Sequence, residues 1–227
     1  MGSVVTVRVP GGWRPALGFL AALLLAAPAP GIAQAASREG RTYLDIEYTV
    51  LRKGPLALRP YARAESRFRS TGLVYEQWNA GLRLRVLPWL SVAAYYTPRE
   101  QLYPGKPKAF KNVAGVDVVL QPSLGRFRLL NRETDEWHAT DGFHRYRNLL
   151  EIAYPLPGAR LSPYFYDELR IDSDQGRVNM NDVGVGVQFN ATATRTLRLA
   201  YDIEANRRLL PTLQYAHFVG LAVAAHL

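Results

Sequence analysis

The chain has 227 residues, of which 48% are hydrophobic and 21% are charged, and this composition excludes a disordered protein. It contains no cysteine, which excludes disulfide bonds and thiol chemistry. With 28 Lys+Arg against 19 Asp+Glu the chain is basic, so acidic partners, nucleic acid included, enter consideration.

The first 35 residues have the three parts of a signal peptide. Arg8 and Arg14 give a positive start, residues 16–27 form an apolar run, and Ala33-Gln34-Ala35 is a small-x-small cleavage site. The apolar run is short for a membrane-spanning helix. We therefore expect residues 1–35 to be cleaved, leaving a single domain over 36–227. An exported chain does not routinely meet DNA or RNA, so nucleic acid is not expected as a partner.

The rest of the chain is a series of segments of about ten residues in which apolar and polar side chains alternate. Such alternation is typical of β-strands with two different faces. In chain order the predicted strands are 42–52, 58–69, 78–87, 90–97, 112–121, 126–137, 144–154, 161–171, 181–189, 196–206 and 213–227.

The segment HRYRNLLEIAY, residues 144–154, shows the pattern. Arg145, Arg147 and Glu151 occupy odd-numbered positions, whereas Leu150, Ile152 and the tyrosines at both ends occupy even-numbered positions. We call each such set of alternate positions a parity, because its side chains share one face of the strand. A water-soluble sheet would bury the apolar parity. A membrane barrel would turn it toward lipid and place aromatic residues at the two interfaces.

The segments between the strands alternate in character. RKGPL, LPWL, QPSLGR, PLPGAR and NATATR are short, whereas TPREQLYPGKPKAFK, HATDGFH and DSDQGRVNM are more polar and on the whole longer. Short turns at one end and long loops at the other are typical of outer-membrane barrels. The predicted fold is therefore all-β, an antiparallel transmembrane β-barrel of about 10–12 strands. Eleven segments are counted, but bacterial single-chain barrels have even numbers, so the expected totals are 10 or 12.

The polar parity is predicted to line the lumen of this barrel with charged side chains. Its arginines are Arg59, Arg63, Arg67, Arg69, Arg83, Arg85, Arg126, Arg128, Arg132, Arg145, Arg147, Arg170 and Arg198. Its acids are Asp45, Glu47, Glu65, Asp117, Glu136, Glu151, Glu168, Asp182, Asp202 and Glu204. Buried charges need partners, so we expect a network of ion pairs across the lumen with a small positive excess. One acid, Asp167, falls on the lipid parity, which indicates either an interfacial position or a bulge.

The search for catalytic chemistry gives little. His138, Asp141 and His144 share one short segment, which is a weak metal motif. No serine has a spacing that suggests a nucleophile and base. Gly184 and Gly186 open no helix and are expected to make room for large lumen side chains. We expect neither enzymatic activity nor a cofactor.

Several segments together resemble an uncharacterised Gram-negative outer-membrane family, domain of unknown function 2490. They are FRLLNRETDEW, HRYRNLLEIAYPL, SPYFYDELRI, NDVGVGVQFN and LRLAYDIE, within a resemblance that covers most of 42–227. The resemblance implies a small outer-membrane barrel after a signal peptide. It implies no activity.

Three hypotheses for function follow. The first is an outer-membrane barrel with a structural or poorly conducting lumen, and the second is a narrow channel that prefers anions. The third is a secreted soluble β-barrel that binds an acidic ligand. For the first two the expected partners are outer-membrane lipid, lipopolysaccharide and the barrel-assembly machinery.

Overall fold

The computed structural model describes residues 37–69, 72–101, 109–206 and 214–226, and all regular structure in these ranges is β-strand. The predicted signal peptide and its cleavage site lie outside the described residues. The strands are β1 (Ser37–Glu47), β2 (Leu51–Lys53), β3 (Leu56–Arg69), β4 (Gly72–Leu87), β5 (Leu90–Gln101), β6 (Ala109–Leu120), β7 (Ser123–Leu124), β8 (Phe127–His138), β9 (Phe143–Ala153), β10 (Leu161–Asp172), β11 (Arg177–Asn190), β12 (Arg195–Asn206) and β13 (Gln214–His226).

The strands form because the sequence alternates with the period of a pleated sheet. In β6 the odd-numbered residues from Val113 to Val119 are buried, and the even-numbered residues between them are exposed. The two faces therefore meet different surroundings along the strand. The prediction of an all-β protein is confirmed.

Eleven long strands, all except β2 and β7, close into one barrel within the described part of the chain. Each long strand pairs with its neighbour in sequence, and β1 pairs with both β3 and β13. A barrel has no open sheet edge, so its main-chain donors and acceptors are paired around the whole ring.

The strand number corrects the expectation of 10 or 12. In a chain that runs up and down an odd number of times, the first and last strands point the same way. The barrel is therefore closed by a parallel pair, in which Leu44 is opposite Val223, and the other pairings in the ring are antiparallel. The fold is thus antiparallel except at this seam.

The barrel has two ends, named here by their connections. The upper end carries the start of β1 and the turns 139–142 and 173–176, and the lower end carries 88–89, 121–126, 154–160 and 191–194. The described upper turns have four residues each, longer than the lower turn 88–89 but no longer than the other lower connections. The expected contrast in loop length is therefore not found among the described connections, because β9 begins at Phe143 and β11 at Arg177, inside the segments that were assigned to loops.

A small apolar cluster lies at the lower end. Tyr154 and Leu156 are buried there against Ala159 and Leu161, and the Tyr154 ring is 5.2 Å from that of Phe127. Tyr154 follows the end of β9 at Ala153 and continues the outer parity of Ile152, but it is buried and not exposed on the outer face, because Leu156, Ala159 and Leu161 pack against it.

Candidate functional site: the charged lumen

The distribution of polarity in this barrel is inverted relative to a water-soluble protein. Large apolar side chains on the outer face are exposed, among them Trp78 at 55%, Leu199 at 56% and Val219 at 60%. The inner face buries charged groups, with Arg41 at 3% and Glu136 at 2% exposed. The site of interest is therefore the lumen. None of the described residues belongs to a helix long and apolar enough to cross a membrane.

Buried ion pairs run around the upper half of the lumen from β8 to β3. Glu136 on β8 accepts from Arg147 on β9 at 2.7 Å, and Arg147 also donates to Glu168 on β10. Glu168 binds Arg170 at 2.5 Å, and Arg170 reaches Asp182 on β11 and Glu204 on β12 at 3.6 and 3.8 Å. Strands far apart in sequence are thus joined through side chains as well as through the sheet.

Arg41 continues this layer on β1 and was not among the lumen residues predicted from the sequence. Its guanidinium lies 3.0 Å from Asp182, 3.2 Å from Asp202 and 3.3 Å from Glu204, and it stacks on the Phe218 ring at 3.9 Å. It was missed because the first predicted strand began at residue 42. The signal was present in the sequence, since Glu39 and Arg41 continue the parity of Asp45 and Glu47.

The layer is completed on β3. Arg67 donates to Glu65 at 2.7 Å and to Glu204 at 3.4 Å, while Arg41 lies 3.8 Å from Glu65. This upper layer holds more carboxylates than guanidiniums. Its acids are Glu65, Glu136, Glu168, Asp182, Asp202 and Glu204, and its bases are Arg41, Arg67, Arg132, Arg147 and Arg170.

The lower half of the lumen holds more guanidiniums than carboxylates. Glu47 at the end of β1 accepts from Arg59 at 2.6 Å and also from Arg83. Arg85 lies two residues further along β4 and has no ion pair among the described residues. Across the lumen, Arg198 pairs with Glu151 at 2.5 Å and stacks on a tyrosine ring.

Tyrosines fill the middle of the lumen, and each of four lies directly opposite a glycine on the next strand. These pairs are Tyr61 with Gly81, Tyr95 with Gly115, Tyr164 with Gly186 and Tyr166 with Gly184. A Cβ on any of these glycines would lie under 3.0 Å from the facing ring. Gly184 and Gly186 therefore make room for large side chains, as their place in the sequence suggested.

A cavity of about 260 Å³ remains between the ion pairs and the tyrosine rings. Its lining mixes charge and aromatic surface, including Asp45, Arg63, Tyr95, Asp117 and Arg132. Arg63 donates to Asp45 at 3.0 Å, and Thr134 donates to Asp117 at 2.7 Å. The space is enough for several water molecules.

The structure places most of the predicted lumen residues on the inner face. Those in the ion pairs above are Arg59, Arg63, Glu65, Arg67, Arg83, Arg147, Glu151, Glu168, Arg170, Asp182, Arg198 and Asp202. Arg132 lies 3.5 Å from Glu168, and Arg145 pairs with Asp172 at 2.5 Å. Arg69 pairs with Glu39 at the upper rim.

Two predicted residues lie at the edge of the lumen or outside it. Arg128 is exposed at the lower end, where it donates to Ser162 at 2.9 Å. Arg126 is not a wall residue, because it sits in the exposed turn before β8, next to Gly125 with a φ of 60°. Two acids that sequence reasoning did not assign, Glu39 and Asp172, are buried at the upper rim.

The outer face carries a polar interruption across four neighbouring strands, which we call the outer polar stripe. Asp167 faces outward, and the bulge on β10 falls at Arg170/Ile171, beyond it. Asn181 donates to Asp167 at 2.6 Å, and Asn148 donates to Glu133 at 2.6 Å. The outer polar stripe crosses β8 to β11 and comprises Asn131, Glu133, Asp135, Asn148, Asp167 and Asn181.

The weak metal motif is not assembled. The His138 ring is buried in the lumen, stacked on Phe143 at 4.3 Å, whereas His144 points outward to Asp135. Asp141 is bound by Lys111 at 2.7 Å. No cluster of three or more potential metal ligands occurs among the described residues.

The geometry defines a class, an eleven-strand barrel with buried arginine and carboxylate residues. Comparison with models of known protein families gives no match, and no curated protein matches the sequence.

Proposed function

We propose that the protein is a Gram-negative outer-membrane β-barrel whose lumen is braced by ion pairs and conducts poorly or not at all. The observation that carries the proposal is the inverted polarity of the wall. Exposed leucine, valine and tryptophan side chains on a closed sheet suit a hydrocarbon surrounding, where paired main-chain groups are also required.

The signal-peptide features support the same location. An exported barrel reaches the outer membrane through the periplasm, and the expected partners are the barrel-assembly machinery, lipid and lipopolysaccharide. N-terminal sequencing of the exported protein is expected to begin at Ala36. Retention of Met1 would contradict the export step. The resemblance to domain of unknown function 2490 agrees with this location.

The braced lumen supports a structural or poorly conducting role. The upper layer joins β8, β9, β10, β11, β12, β1 and β3 through side chains that lie up to three strands apart along the barrel wall. Breaking a buried ion pair leaves an uncompensated charge, so these groups do not separate readily to open a path.

The location is tested by the behaviour of the folded protein. We expect folding to require detergent or lipid, and the folded form to migrate differently from the boiled form on a mild detergent gel. The membrane fraction of cells that express the full chain is expected to hold the protein. A monomer that folds and stays soluble without detergent would refute the membrane proposal and favour a secreted barrel.

A narrow anion-preferring channel is the second candidate, favoured by the arginine-rich lower half of the lumen. Single-channel recording in planar bilayers separates it from the first. The braced lumen predicts no steps or very small ones, whereas the channel predicts small steps with a reversal potential that favours anions under a salt gradient. A wide, unselective conductance would contradict both.

A further inference from the structure

Three arginines converge at the lower end of the lumen. Arg59 on β3 is directly opposite Arg83 on β4, and Arg85 is diagonal to Arg59 on the same face. Like charges placed opposite each other on neighbouring strands repel. One carboxylate, Glu47, bridges Arg59 and Arg83, and the cluster retains two positive charges in excess of it.

The hydrogen-bonding capacity of this cluster is not used up. The Nε atoms of Arg59, Arg83 and Arg85 are buried and have no hydrogen-bond partner among the described residues. A guanidinium presents paired N–H donors that match two oxygens of one phosphate or carboxylate group.

The other end of the lumen cannot serve the same ligand. The upper layer holds six carboxylates and five guanidiniums, and each of those arginines already contacts at least one acid. An anion that enters from the lower end therefore meets attraction first and repulsion further in. The lumen is polarised along its axis.

We propose that Arg59, Arg83 and Arg85 form a binding site for the oxyanion group of a small dissolved solute, a phosphate or a carboxylate, that enters from the lower end. The site is a closed vestibule and not the entrance of a continuous anion path. This inference rests on the charged lumen of the proposed function, but it does not depend on the membrane location.

Isothermal titration calorimetry of the folded full chain with inorganic phosphate, and separately with succinate, tests the site. The protein is held in zwitterionic detergent, or in buffer if it proves soluble, and folding is verified by circular dichroism. We expect saturable binding of at least one probe, with Arg85→Gln weakening it about ten-fold or more, since hydrogen bonds to charged groups are strong.

The matched control is Arg195→Gln. Arg195 is exposed at the same end of the barrel but lies on the outer parity of β12, so this change removes the same charge without touching the lumen. We expect affinity to stay within two-fold of the wild type, an estimate for a screened surface charge. Equal losses of affinity in the two variants would show that binding depends only on the overall charge of the protein. That result would overturn the proposed site.

Glu47→Gln is expected to change the affinity in the opposite direction to Arg85→Gln. It removes the carboxylate that competes for Arg59 and Arg83, so phosphate affinity is expected to rise. Absence of binding by the folded wild type, or no change in Arg85→Gln, overturns the proposal whatever the membrane tests show. Displacement of phosphate by anionic phospholipid would assign the cluster to a lipid headgroup and refute the dissolved solute.

Discussion

The four tyrosine and glycine pairs show how single residues shape the lumen. A tyrosine ring lies flat over the next strand only where no Cβ stands beneath it. The glycine weakens strand propensity, but the ring covers the main chain and recovers packing. Each large tyrosine side chain on one strand therefore requires a glycine opposite it on the next strand.

Gly184→Ala is predicted to lower the free energy of unfolding by about 1–3 kcal/mol, since the added Cβ would overlap the Tyr166 ring. Gly220→Ala is the control, because the atom nearest to a Cβ there is 3.8 Å away. Denaturant titration in the medium that supports folding measures both. Equal midpoints for the two variants would show that the Tyr166 ring does not occupy this space.

Glu168 contacts three arginines in the upper layer, Arg132, Arg147 and Arg170. Glu168→Gln keeps the shape and removes the charge, and it is predicted to cost about 3 kcal/mol because buried guanidiniums lose their counter-charge. Asp141→Asn at the partly exposed pair with Lys111 is expected to cost about 1 kcal/mol or less. Unfolding midpoints that fall equally would mean that solvent screens both sites alike.

Among the elements, β1 differs from the other strands because it closes the ring with a parallel partner. Leu44 and Val223 face outward as neighbours across this seam, and the chain has no cysteine of its own. Leu44→Cys with Val223→Cys is predicted to form a disulfide under mild oxidation, because adjacent strands bring paired Cα atoms within bonding range.

The register of β1 against β13 is checked with a second cysteine pair in which the position on β13 is shifted by two residues. Leu221 is opposite Thr42, so Leu44→Cys with Leu221→Cys places the thiols diagonally and should cross-link poorly. Peptide mapping after oxidation measures both yields. Efficient bridging only in the shifted pair would mean a different closure of the barrel.

The outer polar stripe is the element-scale feature that the lipid proposal must accommodate. Glu133 lies near the middle of β8 on the outer face, opposite Val118. If lipid covers this side, Glu133→Leu should raise the stability in phospholipid and Val118→Glu should lower it, by about 1–2 kcal/mol each. Refolding titrations in vesicles measure the signs. Destabilisation by Glu133→Leu would indicate that this face is covered by a hydrogen-bonding partner instead.

At the scale of the whole molecule, the alternation of side chains was enough to predict the all-β fold, the barrel and most of the inward arginines. The alternation of side chains within one strand determines which face each residue occupies, so the face can be predicted from that segment of the sequence alone. Arg126 was misplaced because turn geometry at Gly125 ended the pattern. The partners within the network could not be predicted, since Arg41 and Glu204 meet only after closure has joined β1 to the far end of the chain.

The parallel seam also determines how readily the start of β1 could be linked to the end of β13. The start of β1 lies at the upper end and the end of β13 lies at the lower end, separated by the length of a strand. In an even-stranded barrel a few residues could link the two, and circular permutation would be simple. Here a linker would have to span a distance on the order of 30 Å along the wall, at about 3.3 Å per residue. Tags placed directly before β1 and directly after β13 would therefore emerge at opposite ends of the barrel.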